Sequence, residues 1–159
     1  MNNRIKAGVV AGLMVVFIVL INLRTQYQDV SVSEVIRLMD LEASGKLADM
    51  EELGAERLRE DFGLSVNDYE SLVYYGKQSI MENDTLLIVH LNNKADAEAI
   101  TNAITQKNEK LKELFSAYAI DQYQLLNESI LKQLGNYIIY IVSPEANDIY
   151  DDFSKAITK

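Results

Sequence analysis

The sequence predicts an α+β domain that follows a single membrane-anchor helix. Three observations lead to this class: an uncharged apolar run near the N-terminus, helix-capping signals between residues 31 and 63, and then strand-strand-helix twice in succession. Runs of β-branched and aromatic residues indicate strands, whereas apolar residues three and four positions apart indicate helices. We expect a ββαββα unit after the first helices, with an antiparallel four-stranded sheet and helices on one face.

Composition and charge exclude several classes of protein. The 159 residues suffice for one domain and an appendage. There is no cysteine, which excludes disulfides, cysteine-ligated zinc or iron–sulfur sites, a thiol nucleophile and a lipid attached to cysteine. The net charge of −9 argues against a nucleic-acid partner, because such proteins present a basic face.

The apolar run at residues 7–23 predicts a transmembrane signal anchor. Its 17 residues would extend about 26 Å as a helix, near the lower limit for a bilayer core. No small-residue cleavage site follows, so we expect an uncleaved anchor. A buried core helix is the alternative, disfavoured because the run is apolar on every face.

The charges around the run predict the orientation. Arg4 and Lys6 precede it, against Arg24 alone just after it. The positive-inside rule then places residues 1–6 in the cytoplasm. We expect a single-pass protein of the cell membrane, with a connector at 24–30 and an extracytoplasmic domain at 31–159.

Two capping boxes predict the first helices of the domain. Ser31 and Glu34 form the first, and the helix is expected to stop near Ser44–Gly45. The segment Asp49–Glu52 forms the second and is expected to start another helix. Gly63 would end that helix in the left-handed conformation. Its apolar residues are Leu53, Leu58 and Phe62.

Four segments then predict the sheet. The first two strands are expected at Tyr69–Tyr75 and Thr85–Leu91, and the second is apolar enough to be central. The other two, residues 130–134 and 137–142, flank Gly135-Asn136, which suits a tight hairpin turn with positive φ.

Two apolar stripes predict the helices after each pair of strands. The first helix, of about 24 residues, would be capped by Asn92 or Asn93, with the stripe Ile100, Ile104, Leu111, Leu114, Phe115 and Tyr118. The last helix would begin at Ser143-Pro144-Glu145, with Ser as cap and Pro in the first turn.

Four motifs, in their order and spacing, resemble a known bacterial family. They are Phe62-Gly63-Leu64, residues 81–89, the helix end Phe115–Tyr118, and the segment Gly135–Ser143. Over residues 31–157 the chain resembles domain of unknown function 4358, found mainly in Gram-positive bacteria. The resemblance implies a compact extracytoplasmic domain behind a lipoprotein signal or membrane anchor, and no known activity. An Asp-Glu pair leads into the second strand of that family, whereas this chain has Asp84-Thr85, so no acidic role carries over to residue 85.

His90 and the segment Ser129–Lys132 are the most conspicuous candidates for chemistry. His90 is the only histidine, and a catalytic zinc site usually takes two or three. We therefore expect a packed or surface histidine, with a pH-responsive role as the alternative. Ser129 and Lys132 match the Ser-x-x-Lys acylation motif, but they lie on a predicted strand and its partner motifs are absent.

The acidic pairs are expected to be solvated. Neighbouring carboxylates on a helix diverge, which disfavours glycoside hydrolysis by Glu51-Glu52, Glu60-Asp61 or Asp151-Asp152. Asp148 with Asp151 and Asp152 would make at best a loose cation site. We expect no metal, no cofactor and no catalytic residue. The glycosylation patterns at Asn83 and Asn127 carry little weight in a bacterial host.

The nine tyrosines divide into two groups. Three fall on predicted core positions: Tyr118, Tyr137 and Tyr150. For the others core packing is the default expectation, and a contact surface of exposed members is the alternative: Tyr69, Tyr74, Tyr75, Tyr123 and Tyr140.

Three functions remain open from the sequence. The first is a non-catalytic module that binds an envelope protein or wall component, the second a small-ligand sensor or binding module, and the third a carboxylate-based envelope hydrolase. The first is favoured by the anchor and by the lack of a catalytic constellation.

Overall fold

The computed structural model describes residues 26–41, 43–47, 49–79, 81–92 and 97–158. The predicted anchor at 7–23 lies outside these residues. Within the described ranges, no helix is both long and apolar enough to cross a membrane.

The described residues form an α+β fold, as the sequence predicts. In chain order the helices are α1 (Val32–Met39), α2 (Ala55–Phe62), α3 (Ala97–Phe115), α4 (Ile120–Asn127) and α5 (Ala146–Ile157). The strands are β1 (Glu51–Glu52), β2 (Ser71–Gly76), β3 (Thr85–His90), β4 (Ile130–Leu134) and β5 (Tyr137–Val142). All neighbouring strands are antiparallel, in the order β1-β2-β3-β5-β4.

The sheet has five strands, so the prediction of four is wrong. Glu51 and Glu52 pair with Gly76 and Tyr75 of β2 instead of opening a helix. Asp49 has a φ of 65°, whereas an N-cap residue needs extended backbone. The helix begins after Gly54, and Gly63 ends it with a φ of 69°, as predicted.

Helices cover both faces of the sheet, which corrects the prediction of one covered face. α1 and α5 pack on the face that presents Leu86, Ile88 and Ile139, whereas α2, α3 and α4 pack on the face of Leu87 and Ile138. All six residues of β5 are buried. Central strands that are apolar on both sides must be packed against helices on both sides, because each face exposes its own apolar area to water until a helix buries it.

Helix ends differ from the sequence prediction in three places. α1 keeps its predicted cap, since the Glu34 amide donates to Ser31 Oγ at 3.4 Å, but it ends at Met39 rather than near Gly45. The predicted 24-residue helix is described over Ala97–Phe115 and ends before Tyr118, with a separate α4 after it, while the possible cap Asn93 lies outside the described residues. α5 begins at Ala146, and Ser143 Oγ accepts from the Glu145 amide before the helix starts.

The hairpin of β4 and β5 has its predicted bounds. Gly135 has a φ of 59°, which suits glycine in a two-residue turn. A Cβ atom at this position would lie 3.0 Å from the Tyr27 side chain, so the close approach of Tyr27 also favours glycine.

Candidate functional site

The two ends of the sheet carry different polar groups. We call the end formed by Gly76, Thr85 and Val142 the distal pole, because these residues are opposite one another in β2, β3 and β5. The other end, formed by Ser71, His90 and Tyr137, is the proximal pole. The five residue-to-residue steps along β3 separate the two poles by about 17 Å.

A cleft opens at the distal pole between the β2–β3 hairpin, α2 and α3. It encloses about 200 Å³. Phe62, Leu111 and the rings of Tyr74 and Tyr140 supply its apolar lining. The polar lining consists of Arg57, Asp61, Lys77, Ser79, Glu82, Asn83, Asp84, Thr85 and Lys107.

Asp61 is the centre of one wall of the cleft. Its carboxylate accepts from Lys107 Nζ at 2.7 Å, from Arg57 Nε at 2.6 Å and from the Tyr74 hydroxyl at 2.9 Å. These donors come from α3, α2 and β2, so one carboxylate joins three elements. Only 8% of the Asp61 side chain is exposed.

Opposing effects act on the ionisation of this group. Burial would raise the pKa of Asp61, but the hydrogen bonds from Lys107 and Tyr74 and the nearby cations outweigh it and lower that pKa below its usual range. Burial and the Asp61 charge raise the pKa of Tyr74. Tyr74 therefore remains a protonated donor to an ionised carboxylate.

Lys77 is the centre of a second wall, which the β2–β3 hairpin supplies. Its ammonium lies 3.0 Å from Glu82 Oε1 and 3.7 Å from Asp84 Oδ2. Asn83 between them is buried, and both its amide groups donate to Gln122 Oε1, at 2.9 and 3.1 Å. The hairpin loop is thereby held on α4, which fixes the position of this wall.

Tyr140 links the cleft to a buried amide. Its hydroxyl donates to Asn108 Oδ1 at 3.1 Å, and Asn108 Nδ2 donates to Ser129 Oγ at 3.1 Å. Burial raises the pKa of Tyr140. The chain of bonds joins β5, α3 and the start of β4, so these polar groups are satisfied within the fold.

His90 lies at the proximal pole and is 4% exposed. Its Nε2 is 2.6 Å from Asp29 Oδ1, and its Nδ1 is 3.6 Å from Glu70 Oε2. The ring stacks on Tyr137 with centroids 4.6 Å apart. Of the two environments expected from the sequence, a packed or a surface histidine, the structure has the packed one.

The connector is held against the domain at the same pole. Tyr137 Oη accepts from the Val30 amide at 2.8 Å and donates to the Val30 carbonyl. The Gln28 amide donates to the Ile157 carbonyl at 2.7 Å, and Tyr27 forms a β-bridge with Thr158. Both ends of the described chain therefore lie at the proximal pole, opposite the cleft.

Removing the Tyr137 hydroxyl tests this attachment. In Tyr137→Phe we expect faster amide hydrogen exchange at residues 27–30, because Val30 loses both bonds, at a cost of about 1–2 kcal/mol in local opening. Tyr150→Phe on α5 is the control, since no hydrogen bond of its hydroxyl holds the connector. Unchanged exchange in Tyr137→Phe would contradict the attachment.

The structure separates most of the candidates that the sequence suggested. Ser129 precedes β4 and Lys132 lies on it, which confirms the strand. Asp152 pairs with Lys46, while Glu60 and Asp151 are exposed, so the adjacent acids diverge. Among the described residues, no three His, Cys, Asp or Glu side chains are grouped so that they could hold a metal ion.

One of the three tyrosines predicted at core positions departs from that prediction. Tyr137 is buried as expected, but Tyr118 is 54% exposed because α3 ends before it. Tyr74 and Tyr140 are 5% and 2% exposed, so these two pack in the core, which is the default expected for the second group.

The prediction that the Glu60-Asp61 pair is solvated is wrong for Asp61, whose side chain is 8% exposed, and sequence reasoning missed its cluster. The spacing of Arg57 and Asp61, four residues apart on a helix, is a visible signal for an ion pair. Lys107 lies 46 residues further on, and no local pattern connects it with Asp61.

Comparison with known proteins gives one match. The family model described as "Domain of unknown function (DUF4358)" matches residues 43–143. No curated protein matches the chain. No solved structure matches it.

Proposed function

Since the chain belongs to the DUF4358 family, whose function is unknown, we propose that it is a non-catalytic binding module of the bacterial cell envelope, held at the membrane by residues 7–23. In this proposal the domain stands outside the cell and presents its distal pole to an envelope protein or wall component. The apolar run and the charges around it support the anchor and its orientation.

The position of the connector is the observation that carries this proposal. Residues 27–30 are bonded to the proximal pole through Tyr137 and Ile157. A tether that leaves from this pole keeps it near the membrane and turns the cleft away from it. The distal side also carries exposed apolar side chains: Met81, Leu114, Tyr118 and Ile120, each between 52% and 55% exposed. Met81 and Ile120 each lie two residues from the hydrogen-bonded pair Asn83 and Gln122, which holds their two segments together, and contiguous exposed apolar groups are typical of contact surfaces.

Site-specific photo-crosslinking in intact cells tests the proposal. We expect a photoreactive amino acid at Tyr118 to give a discrete adduct larger than the monomer, because this position lies beside the distal pole. Leu38 on α1, which is 45% exposed, is the matched control and should give none. Recovery of monomer alone from both positions would contradict the proposal.

The cleft favours a second function for the same module, the binding of a small ligand. A concave site of about 200 Å³ with an apolar lining and converging polar groups has the features of a small-molecule site. Binding of such a ligand at the distal pole is compatible with presentation of that pole to a partner.

A further inference from the structure

The two walls of the distal cleft carry opposite excess charge. On one wall two cations, Arg57 and Lys107, share the single carboxylate of Asp61, which leaves one positive charge in excess. On the other wall two carboxylates, Glu82 and Asp84, share the single ammonium of Lys77, which leaves one negative charge in excess. The cleft is therefore polarised across its width, although it is neutral in sum.

This arrangement contrasts with the rest of the chain. The protein has 24 acidic residues against 15 basic ones, so a simple anion is repelled on approach. A simple cation would meet only the wall around Lys77, which is itself partly neutralised. A molecule that carries both charges has no net repulsion from the chain and meets a complementary wall on each side.

The size of the cleft limits such a molecule. A volume of about 200 Å³ has room for about six or seven waters, below the roughly 300–1,000 Å³ of sites for drug-sized ligands. Phe62 and Leu111 among the lining residues offer apolar contact to a short side chain. The side chains of Arg57 and Glu82 are 47% and 45% exposed, so a ligand can reach both charged walls from solvent.

We propose that the distal cleft binds a free zwitterionic amino acid with a small side chain, its carboxylate toward Arg57 and Lys107 and its ammonium toward Glu82 and Asp84. The inference deepens the proposed function, on which it rests, by naming a ligand class for the same pole. Arg57 would give up part of its bonding to Asp61, and Glu82 part of its bonding to Lys77, in order to bind the ligand. Asp61 would keep Lys107 and Tyr74, and Lys77 would keep Asp84.

Equilibrium dialysis of the full-length protein in mild detergent, with radiolabelled L-alanine as probe, tests this assignment. Arg57→Gln and Glu82→Gln each remove one exposed charge without leaving Asp61 or Lys77 unpaired. We expect each variant to raise the Kd for alanine about tenfold or more, as loss of a hydrogen bond between charged groups does. Arg59→Gln and Glu60→Gln, on exposed positions of α2 outside the cleft, are the matched controls and should leave the Kd unchanged.

Two competitors with a single charge each test whether the cleft needs both charges of the zwitterion. Acetate and methylamine carry one charge each, and we expect neither to displace alanine at the concentration at which unlabelled alanine does. No alanine binding, equal binding by all four variants, or full displacement by acetate alone would each overturn the assignment. Crosslinks from Tyr118 without alanine binding would overturn this inference and leave the interaction with an envelope partner standing. Alanine binding without crosslinks would contradict that interaction and support the small-ligand function of the same cleft.

Discussion

Replacing Phe153 with alanine is expected to lower the free energy of unfolding by about 3–5 kcal/mol, because the change removes a large side chain from a fully packed site. Phe153 on α5 is 0% exposed and meets the Tyr137 ring edge-on, with centroids 6.1 Å apart. Urea denaturation followed by tyrosine fluorescence measures the loss. Leu38→Ala on the exposed side of α1 is the control and should stay within about 0.5 kcal/mol of the parent. Equal effects of the two substitutions would show that α5 does not close this face of the sheet.

Replacing Asp61 with alanine is expected to cost about 2–3 kcal/mol at neutral pH, because Lys107 and the Tyr74 hydroxyl lose the carboxylate that pairs them. Arg57 and Lys107 retain access to water, which keeps the loss below that of a fully buried pair. Glu60→Ala, the exposed neighbour on α2, is the matched control. If Asp61→Ala lowered the free energy of unfolding no more than Glu60→Ala does, the packing of α2, α3 and β2 would not depend on this carboxylate.

The ionisation of Asp61 also predicts that the contribution of this residue to stability depends on pH. The pKa of Asp61 is lowered in the folded state, so its contribution to stability is present above the unfolded carboxyl value, about 3.9, and is lost as the pH falls through the folded value. We therefore expect the stability difference between the parent and Asp61→Asn to shrink in urea titrations as the pH is lowered below about 4. A difference that stays constant from pH 7 to pH 2 would contradict the lowered pKa.

Local patterns predict those parts of the fold that local physics determines. The hairpin turn needs positive φ at Gly135, and the Ser31 cap satisfies a free helix amide, so both are readable from a few adjacent residues. The central position of β3 follows from its apolar run, which only a covered strand can accommodate. Such features do not depend on which distant residues complete the packing.

The sequence predictions are wrong where contacts with distant residues determine the local structure. Glu51-Glu52 carries a helix-start signal, but pairing with β2 satisfies its backbone and places both side chains in solvent. Leu114 and Tyr118 extend an apolar stripe, yet α3 ends at Phe115, which leaves both about half exposed. The central strands are apolar on both sides, so helices must cover both faces of the sheet. The number of predicted helices alone does not show this.

The candidate site is almost wholly a product of tertiary structure. Arg57, Lys77 and Lys107 are ordinary surface charges in the sequence, and they line one cleft only because α2, β2 and α3 meet at the distal pole. The attachment of Asp29 to His90 likewise joins residues 61 positions apart. Sequence reasoning left open whether His90 is a packed or a surface residue, and it could not supply its partner.

Accessibility of single cysteines in intact cells tests the central claim, that the distal pole faces outward on a tethered domain. The chain has no cysteine, so Tyr118→Cys gives one thiol at a position that is 54% exposed. Asn2→Cys, within the segment expected in the cytoplasm, is the matched control. A membrane-impermeant maleimide is expected to label Tyr118→Cys in intact cells and Asn2→Cys only after lysis. Labelling of Tyr118→Cys only after lysis, or of Asn2→Cys before it, would contradict this account.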